Sequence, residues 1–452
     1  MNNINDFYQA RSKTPQEAAK LIQSNTHLFL TGNCSVPREV MSALTARAHE
    51  LSNVEIYQVL TIGSADYVAK GMEKHLRVNT LFISDNVRSA VQEGRADFTP
   101  CFLSEIPDLF TSKRLPIDIA LIQVSPPDEH GYCSLGVEVG VTKAAAQSAK
   151  FVIAEINSKM PRAHGDAFIH ISKLDVIVPV DYYLPEVHMS GETNEVTENI
   201  ASYVASLIPN GATLQTGIGA IPNAVLKRLT NHQDLGIHTE LFSDGIIELV
   251  KQGVINGEKK SIHHGKIVAG FMLGTQALYE FAHDNPQIEM HPTEYVNDPF
   301  VISKNNKMVA INSAIEVDLT GQVCADSIGT RFYSGVGGQI DFIYGASRSK
   351  GGVPIIALPS KLVKKNMEPA SLLTKKQEQA PAIQSFSKIV PMLKPGAGVT
   401  TSRNHVRYVI TEHGIADLYG KTIRQRAEAL INIADPEFRD ELRVKARELN
   451  YL

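Results

Sequence analysis

The sequence predicts an α/β protein built from two related open sheets. Three observations lead to this prediction: nearly continuous apolar runs, helical periodicities between them, and one motif that occurs twice. Continuous apolar runs are typical of strands that are covered on both faces of a parallel sheet. Strands that alternate with helices are typical of open, mostly parallel α/β sheets.

The apolar runs and periodic segments can be placed in order along the chain. A run at residues 117–124 ends at Pro126-Pro127, and similar runs predict further strands at residues 151–155, 176–179, 308–312 and 354–358. Apolar residues at helical spacing predict helices at residues 246–251, 278–283 and 422–433.

The repeated motif has the pattern T-G-x-x-x-[VI]-P-x-x-V-x-x-x-L. It begins at Thr31 and again at Thr216, 185 residues later. Each copy follows a helical stretch (15–23 and 195–207) and a short extended run (28–30 and 212–214), and each places a proline in the first turn of the next helix. We interpret this order as a duplication of α/β domains. With only six matched positions, chance similarity of two strand-to-helix turns is the alternative. A polar break around residues 184–193 predicts domains at 1–186 and 187–452.

Composition excludes several classes of protein. The chain has 452 residues, 43% hydrophobic and 20% charged, with a net charge of −4. Disorder is therefore not indicated, and there is no broad positive field for nucleic acid or an anionic membrane. The four cysteines are scattered without a C-x-x-C pair, and no apolar run is long enough to span a membrane. We expect a soluble cytoplasmic protein with a small-molecule partner.

Three glycine-rich turns are candidate ligand-binding loops. They begin at Gln215, Ser334 and Gly351. Glycine lets backbone N–H groups approach a ligand, and a following helix directs its positive end at anions. The first loop lacks the third glycine of the dinucleotide fingerprint and the Gly-Lys-Ser/Thr ending of a P-loop. Each loop alone is equally consistent with a tight turn.

Glu240 is the candidate nucleophile. It lies in HTELFSDG, at the end of a short extended piece before a turn and helix, and open α/β sheets bind ligands at the ends of their strands. A glutamate of ordinary pKa, about 4.3, is ionised at neutral pH and can attack an activated carbonyl without a general base. A helix-capping or salt-bridged glutamate is the alternative.

Other chemistries have weaker support. No G-x-S-x-G elbow occurs in a strand-turn-helix context. His263-His264 is interpreted as a surface pair and not as a zinc site, because no histidine has a metal-ligand spacing. Lys361, Lys364 and Lys365 can reach a phosphate or belong to a solvated loop. The polar stretch 366–387 is interpreted as a surface insertion within the second half.

Together the motifs resemble the acetyl-CoA hydrolase/transferase family of class I CoA-transferases over nearly the whole chain. The motifs that carry the resemblance are VSPPDEHGYCSLG from Val124, QTGIGAIPNAV from Gln215, HTELFSDG from His238, YVNDP from Tyr295, INSAIEVD from Ile311, SGVGGQIDF from Ser334 and ITEHGIAD from Ile410.

The resemblance implies a duplicated fold of the CoA-transferase type, a homo-oligomer, most simply a dimer, and an active site between the halves. It implies that Glu240 is the catalytic nucleophile and that Asn297 is an active-site asparagine. It also implies a set of positions that contact coenzyme A: Gln215, Thr216, Gly217, Ile218, Gly219, Ile315, Gly338 and Lys365. The 366–387 insertion leaves open whether Lys364 or Lys365 takes this role.

The implied function is transfer of CoA from a short-chain acyl-CoA to a small carboxylate of the acetate, butyrate or 4-hydroxybutyrate type. The expected route is ping-pong, through a γ-glutamyl-CoA thioester, with CoA as a substrate and no metal or permanently bound cofactor. Since the chain has no basic excess, backbone N–H groups, helix ends and a few lysines must hold the anionic CoA. The alternatives are an acyl-CoA hydrolase of the same family, a non-catalytic acyl-CoA sensor and a sugar-phosphate isomerase.

Overall fold

The structure, a computed structural model, describes residues 4–188, 194–217, 219–365 and 383–452. Two parallel sheets with helices on their faces form the molecule, which confirms the predicted α/β class. The helices are Ile4–Arg11, Pro15–Ala19, Arg38–Ala46, Asp85–Gln92, Ile106–Thr111, Thr142–Ser148, Glu195–Ser206, Ala220–Lys227, Gly245–Lys251, Gln276–Ala282, Thr293–Val296, Pro299–Ile302, Gln339–Arg348, Ile423–Ile433 and Arg439–Glu448.

The first sheet has seven parallel strands in the order β7-β6-β5-β1-β2-β3-β4. These strands are β1 (His27–Leu30), β2 (Val54–Gln58), β3 (Leu76–Thr80), β4 (Asp97–Phe98), β5 (Ile119–Val124), β6 (Phe151–Asn157) and β7 (Val176–Val180). Every residue of β5 is buried, as its continuous apolar run predicts.

The second sheet contains β8 (Thr213–Thr216), β9 (Gly236–Phe242), β10 (Ile267–Met272), β11 (Ile288–Met290), β12 (Met308–Ser313), β13 (Val353–Ala357), β14 (Tyr408–Thr411) and β15 (Gly414–Asp417). Its order is β15-β14-β13-β12-β8-β9-β10-β11, with an additional two-residue strand, His164–Gly165, beside β11. Only β15 runs antiparallel to its neighbour.

The two sheets have the same strand order. If β15 and His164–Gly165 are set aside, each strand of the second sheet takes the place of the strand seven numbers lower in the first. The repeated motif follows β1 in one half and β8 in the other, at the centre of each sheet. The predicted duplication is therefore present in the topology, while the predicted boundary at 186/187 stays a prediction.

Some predicted bounds are wrong. The helix that begins at Pro15 was expected to reach residue 23 but ends at Ala19. Hydrogen bonds from Leu21 and Ile22 to carbonyls three residues earlier tighten the turn there. The proline of the first motif, Pro37, is the N-cap of the next helix and not a residue of its first turn, whereas Pro222 lies within the first turn as expected.

The halves share a core and exchange backbone contacts. Buried apolar side chains from Phe29 to Ile410 form one cluster that includes residues of both sheets. The segment 137–140 of the first half lies against β10, with hydrogen bonds from the N–H groups of Val139 and Gly140 to the carbonyl of Gly270. This contact brings the first half beside the carboxyl ends of the central strands of the second sheet.

Short strands complete the fold: Tyr132–Ser134 pairs with Phe168–His170, Glu316–Asp318 with Val323–Cys324 and Ile389–Val390, Ser327–Ile328 with Arg331–Phe332, and Lys361–Lys365 with Ile383–Ser387. The second strand of the last pair is the end of the predicted insertion at 366–387, whose residues 366–382 lie outside the described residues. Among the described helices, none combines the length and apolar character needed to cross a bilayer.

Candidate active site

Glu240 lies on β9, two residues before the strand ends, and its side chain is partly buried. Its Oε2 accepts a hydrogen bond from Asn297 Nδ2 at 2.9 Å, and the backbone N–H of Gly338 donates to the same carboxyl group. Burial raises the pKa of the Glu240 carboxyl, although both hydrogen bonds oppose the rise. The carboxylate is therefore held by two donors. The helix-cap and salt-bridge alternatives find no support, because no described lysine or arginine pairs with Glu240.

Asn297 follows directly after the helix Thr293–Val296 and is fully buried. Its backbone N–H donates to the carbonyl of Thr293, which fixes the residue at the helix end. Its Nδ2 faces Glu240, while its Oδ1 is buried without a hydrogen-bond partner among the described residues. The predicted active-site asparagine is thus beside the predicted nucleophile, 57 positions away in sequence.

Gly338 is in contact with the same carboxylate. A Cβ atom placed on Gly338 would lie 1.9 Å from Glu240 Oε2 and 2.2 Å from Asn297 Nδ2. Any side chain here would displace the carboxylate or the amide. The residue expected to contact CoA therefore also supports the nucleophile, and it is the N-cap of the helix Gln339–Arg348.

Asp341 was not singled out from the sequence, although its motif was. It is buried, and Ser104 of the first half donates to it from its hydroxyl, at 2.9 Å, and from its backbone N–H, at 3.3 Å. Asn297 Nδ2 lies 3.5 Å from Asp341 Oδ2, the oxygen that also accepts from the Ser104 N–H. Burial raises the pKa of Asp341 to about 7; the bonds from Ser104 oppose this rise and the Glu240 carboxylate adds to it.

Two cavities meet at Glu240. The first, the glycine cavity, has a volume of about 230 Å³ and is lined by the loop 334–338, Gln215, Gly217, Asn312 and other residues of the second half, together with Phe82. The second, the apolar cavity, has a volume of about 180 Å³. Its apolar lining residues are Val59, Leu60, Phe82, Leu103, Val141, Leu241 and Phe271. Because these residues come from both halves, the predicted site between the halves agrees with this arrangement.

The end of β8 and the turn that follows it contribute two predicted residues to the glycine cavity, Gln215 and Gly217. Gln215 is buried, and Asn312 Nδ2 donates to its Oε1 at 3.0 Å. Thr216 is buried beside the cavity, where its carbonyl accepts from Thr239. Gly219 is the N-cap of the helix Ala220–Lys227, with a φ of 112° that favours glycine. Ile218 lies outside the described residues.

The remaining predicted CoA contacts, Ile315 and Lys365, follow β12 and β13 in the chain. Ile315 is half-buried between β12 and the strand Glu316–Asp318, and it is not among the described residues that line either cavity. Lys365 ends the strand Lys361–Lys365. Lys361 begins this strand, and its Nζ is paired with Asp435 at 3.0 Å and with Glu437 at 3.3 Å.

The histidine pair was predicted to lie on the surface, which is correct for His264 and wrong for His263. His263 Nδ1 lies 2.6 Å from Glu289 Oε2, and its Nε2 lies 2.6 Å from the hydroxyl of Tyr295. Tyr295 belongs to the helix Thr293–Val296, which directly precedes Asn297. These contacts therefore tie His263 and Glu289 to that helix, and spacing along the sequence gave no sign of them.

Comparison with known proteins identifies the family. The model of the acetyl-CoA hydrolase/transferase N-terminal domain matches residues 1–185, and that of the C-terminal domain matches residues 274–446. A 4-hydroxybutyrate coenzyme A transferase of Clostridium kluyveri is 48% identical, over 97% of each chain. A butyryl-CoA:acetate CoA-transferase of Anaerostipes caccae is 35% identical, over 97% of this chain and 96% of the relative.

A solved structure agrees with the sequence relatives. The crystal structure of a 4-hydroxybutyrate CoA-transferase from Porphyromonas gingivalis is 38% identical, with a TM-score of 0.81 over 98% of this chain and 99% of that one. The chain belongs to the acetyl-CoA hydrolase/transferase family, as the resemblance of its motifs implied. It is an enzyme that transfers CoA between an acyl-CoA and a carboxylate.

Proposed function

We propose that the protein transfers CoA from a short-chain acyl-CoA to a small carboxylate through a thioester on Glu240. The observation that carries this proposal is the position of the Glu240 carboxylate between the glycine cavity and the apolar cavity, where Asn297 and the backbone of Gly338 donate hydrogen bonds to it. Acetate, butyrate and 4-hydroxybutyrate are the acceptors suggested by the names of the relatives.

In the first step, the Glu240 carboxylate attacks the thioester carbonyl of the acyl-CoA. The carbon–sulfur bond breaks, and an acyl-glutamyl anhydride and the CoA thiolate form. Because Oε2 is hydrogen-bonded to Asn297, Oε1 is the oxygen that attacks. The apolar cavity has room for a short acyl chain, and the glycine cavity provides backbone N–H groups and the N-termini of two helices for the CoA side.

In the second step, the thiolate attacks the glutamyl carbonyl carbon. The donor carboxylate leaves, and a γ-glutamyl-CoA thioester forms. The negative charge of this tetrahedral intermediate develops on Oε2, to which Asn297 already donates and beside which Gly338 lies. One preorganised donor of this kind is typically worth about 3–4 kcal/mol. An acceptor carboxylate then reverses both steps and leaves as the new acyl-CoA, which predicts ping-pong kinetics.

Intact-mass measurement of the full chain after incubation with acetyl-CoA tests the intermediate. We expect a mass gain equal to CoA less one water, removed by adding acetate, and absent in Glu240→Gln. Glu155→Gln is the matched control, because Glu155 is also a buried glutamate of a parallel strand and lines neither cavity among the described residues. It should form the adduct as the wild type does.

Two results would contradict the proposal. No adduct with any short-chain acyl-CoA would exclude the glutamyl thioester, and steady CoA release without a carboxylate acceptor would indicate the hydrolase of the same family. The cytoplasmic location, the homodimer and the absence of a permanent cofactor stay predictions; gel filtration with light scattering measures the oligomeric state.

A further inference from the structure

The apolar cavity has one acidic group in its wall besides Glu240. Glu138 comes from the segment of the first half that lies against β10, and its side chain is 3% exposed. Its Oε2 accepts a hydrogen bond from the amide of Asn33, and the backbone N–H of Val141 donates a further bond. All three residues line the cavity that reaches Glu240.

No lysine, arginine or histidine is among the described residues that line this cavity. An ionised carboxylate without a cation is costly in such a place. Burial accordingly raises the pKa of Glu138 to about 8, against the bonds from Asn33 and Val141. At neutral pH Glu138 is mainly a carboxylic acid, which has an O–H to donate as well as oxygens that accept.

Two further polar atoms of the same wall lack partners. Asn33 Oδ1 and Thr293 Oγ1 are buried without a hydrogen-bond partner among the described residues. Asn33 also has a φ of 51°, in the left-handed region, which costs free energy at a residue other than glycine. Unmet hydrogen-bonding capacity and backbone strain on one wall of a ligand cavity indicate a site that a polar ligand group completes.

We propose that Glu138 and Asn33 form a polar subsite that selects acyl groups carrying a hydroxyl group away from the reacting carbonyl. The inference rests on the function proposed above, because it places the acyl chain in the apolar cavity. Seven of the described lining residues have aliphatic or aromatic side chains, so the chain of the acyl group contacts carbon while its hydroxyl reaches Glu138.

The same arrangement disfavours two other classes of substrate. A plain aliphatic acyl group leaves the polar atoms of the subsite unpaired, and a site built to bind a hydroxyl discriminates strongly against an analogue that lacks it. A second carboxylate, as in a dicarboxylic acid, would lie beside Glu138 with no cation to compensate it. The expected order of preference is hydroxyacyl, then aliphatic acyl, then dicarboxylic.

The test measures kcat/KM of the full-length enzyme with acetyl-CoA as donor and 4-hydroxybutyrate, butyrate or succinate as acceptor. We expect the wild type to prefer 4-hydroxybutyrate to butyrate by about tenfold or more, and succinate to be poorest. Glu138→Leu should lower kcat/KM for 4-hydroxybutyrate by about 10–100-fold and leave butyrate unchanged or improved. Glu138→Gln, which still donates and accepts hydrogen bonds, should keep the preference within about threefold of the wild type.

Phe271→Leu is the control for cavity shape, because it changes an apolar wall residue and should affect both acceptors alike. The inference is overturned if the wild type does not prefer the hydroxylated acceptor, whatever the variants do. It is also overturned if Glu138→Leu folds, forms the CoA adduct and keeps the wild-type preference. Absence of any adduct or transfer in the wild type would instead overturn the proposed function, so the two failures are distinguishable.

Discussion

The two copies of the repeated motif use the same glycine for different purposes. A Cβ on Gly32 would lie 2.1 Å from the carbonyl oxygen of Val59 and 2.9 Å from that of Leu60, so this glycine allows two backbones to touch. A Cβ on Gly217 would meet no protein atom within 4 Å. The first loop is closed by the protein itself, whereas the second is open to a ligand.

The strand ends next to these loops differ in the same way. Phe29 pairs with Tyr57 and, 185 residues later, Leu214 pairs with Ile237. Leu60 lies three residues after Tyr57, and Glu240 lies three residues after Ile237, so the two occupy equivalent positions. Both side chains line the apolar cavity. Duplication thus placed two equivalent positions at one cavity, where one half supplies the nucleophile and the other supplies apolar wall.

The largest effect is expected when this division of roles is broken at Glu240. Glu240→Gln should lower kcat by at least about 10³-fold, because the amide is not a nucleophile, with the melting temperature nearly unchanged. Leu60→Ala, at the equivalent position, should keep kcat with acetyl-CoA within about tenfold and improve longer acyl groups. Steady-state kinetics with acyl-CoA donors of two to six carbons checks both. Equal losses in the two variants would contradict the division.

Gly338→Ala tests a glycine that touches the nucleophile itself. The new methyl group would displace the Glu240 carboxylate or the Asn297 amide, and a displacement of about 1 Å can cost about 10²-fold in rate. We expect this loss mainly in kcat, measured with saturating acyl-CoA and acetate. A variant with normal kcat and raised KM would show that Gly338 serves CoA binding alone.

Alanine at the two motif glycines should separate stability from binding. Gly32→Ala brings Cβ against two backbone carbonyls and should lower the free energy of unfolding by about 3 kcal/mol. Gly217→Ala should leave the melting temperature unchanged and raise KM for acyl-CoA about tenfold, because its methyl group occupies space open to the ligand. Thermal unfolding and initial rates of both variants provide the measurements; the reverse pattern would refute the comparison.

The smallest effect is expected at Asp341, which Ser104 ties to the first half. Its pKa is raised from 3.8 to about 7, so the folded state holds its proton more tightly than the unfolded chain does. Its contribution to stability is therefore present below about pH 4 and is lost as the pH rises to about 7. Asp341→Asn does not titrate, so it does not lose this stability as the pH rises. The difference in melting temperature between the variant and the wild type should therefore increase in the variant's favour by about 2–4 °C from pH 4.5 to pH 7.5.

The rate profile gives a second measurement on the same variant. Above pH 7 the wild type carries a negative charge beside Glu240 and Asn297, and below it this charge disappears. The plot of kcat/KM against pH should therefore have an inflection near pH 7 that Asp341→Asn lacks. The same inflection in both enzymes would show that another group titrates there.

Much of the fold could be predicted from the sequence, because strands that are buried on both faces consist of nearly continuous apolar residues. The observed strands β5, β6, β7, β12 and β13 were predicted within two residues. Strands such as β2 were missed, since VEIYQ mixes charged and apolar residues. Tertiary contacts also act at the ends of helices, as at Ala19, whose carbonyl accepts a hydrogen bond from Arg47, and local pattern does not record them.

The site was predictable where a motif names its residues and not where distant segments meet. Glu240, Asn297 and Gly338 come together as the resemblance implied, but nothing in the local sequence around Asp341 or Glu138 indicates what faces them. Ser104 and Asp341 are 237 positions apart, and Asn33 and Glu138 are 105 apart. The first pair depends on how the two halves dock and the second on how the first half folds, and no short motif encodes either.

The two-residue strand His164–Gly165 belongs to the first half of the chain but pairs with the second sheet, and it is synthesised before that sheet. It pairs with β11 and covers the outer edge of the second sheet, where Gly165 has a φ of 91° and a Cβ would lie 2.5 Å from the carbonyl oxygen of Met290. An uncovered edge invites pairing with another chain. Because the ribosome synthesises residue 165 more than a hundred residues before Met290, the segment that protects this edge is already available when the edge strand is made.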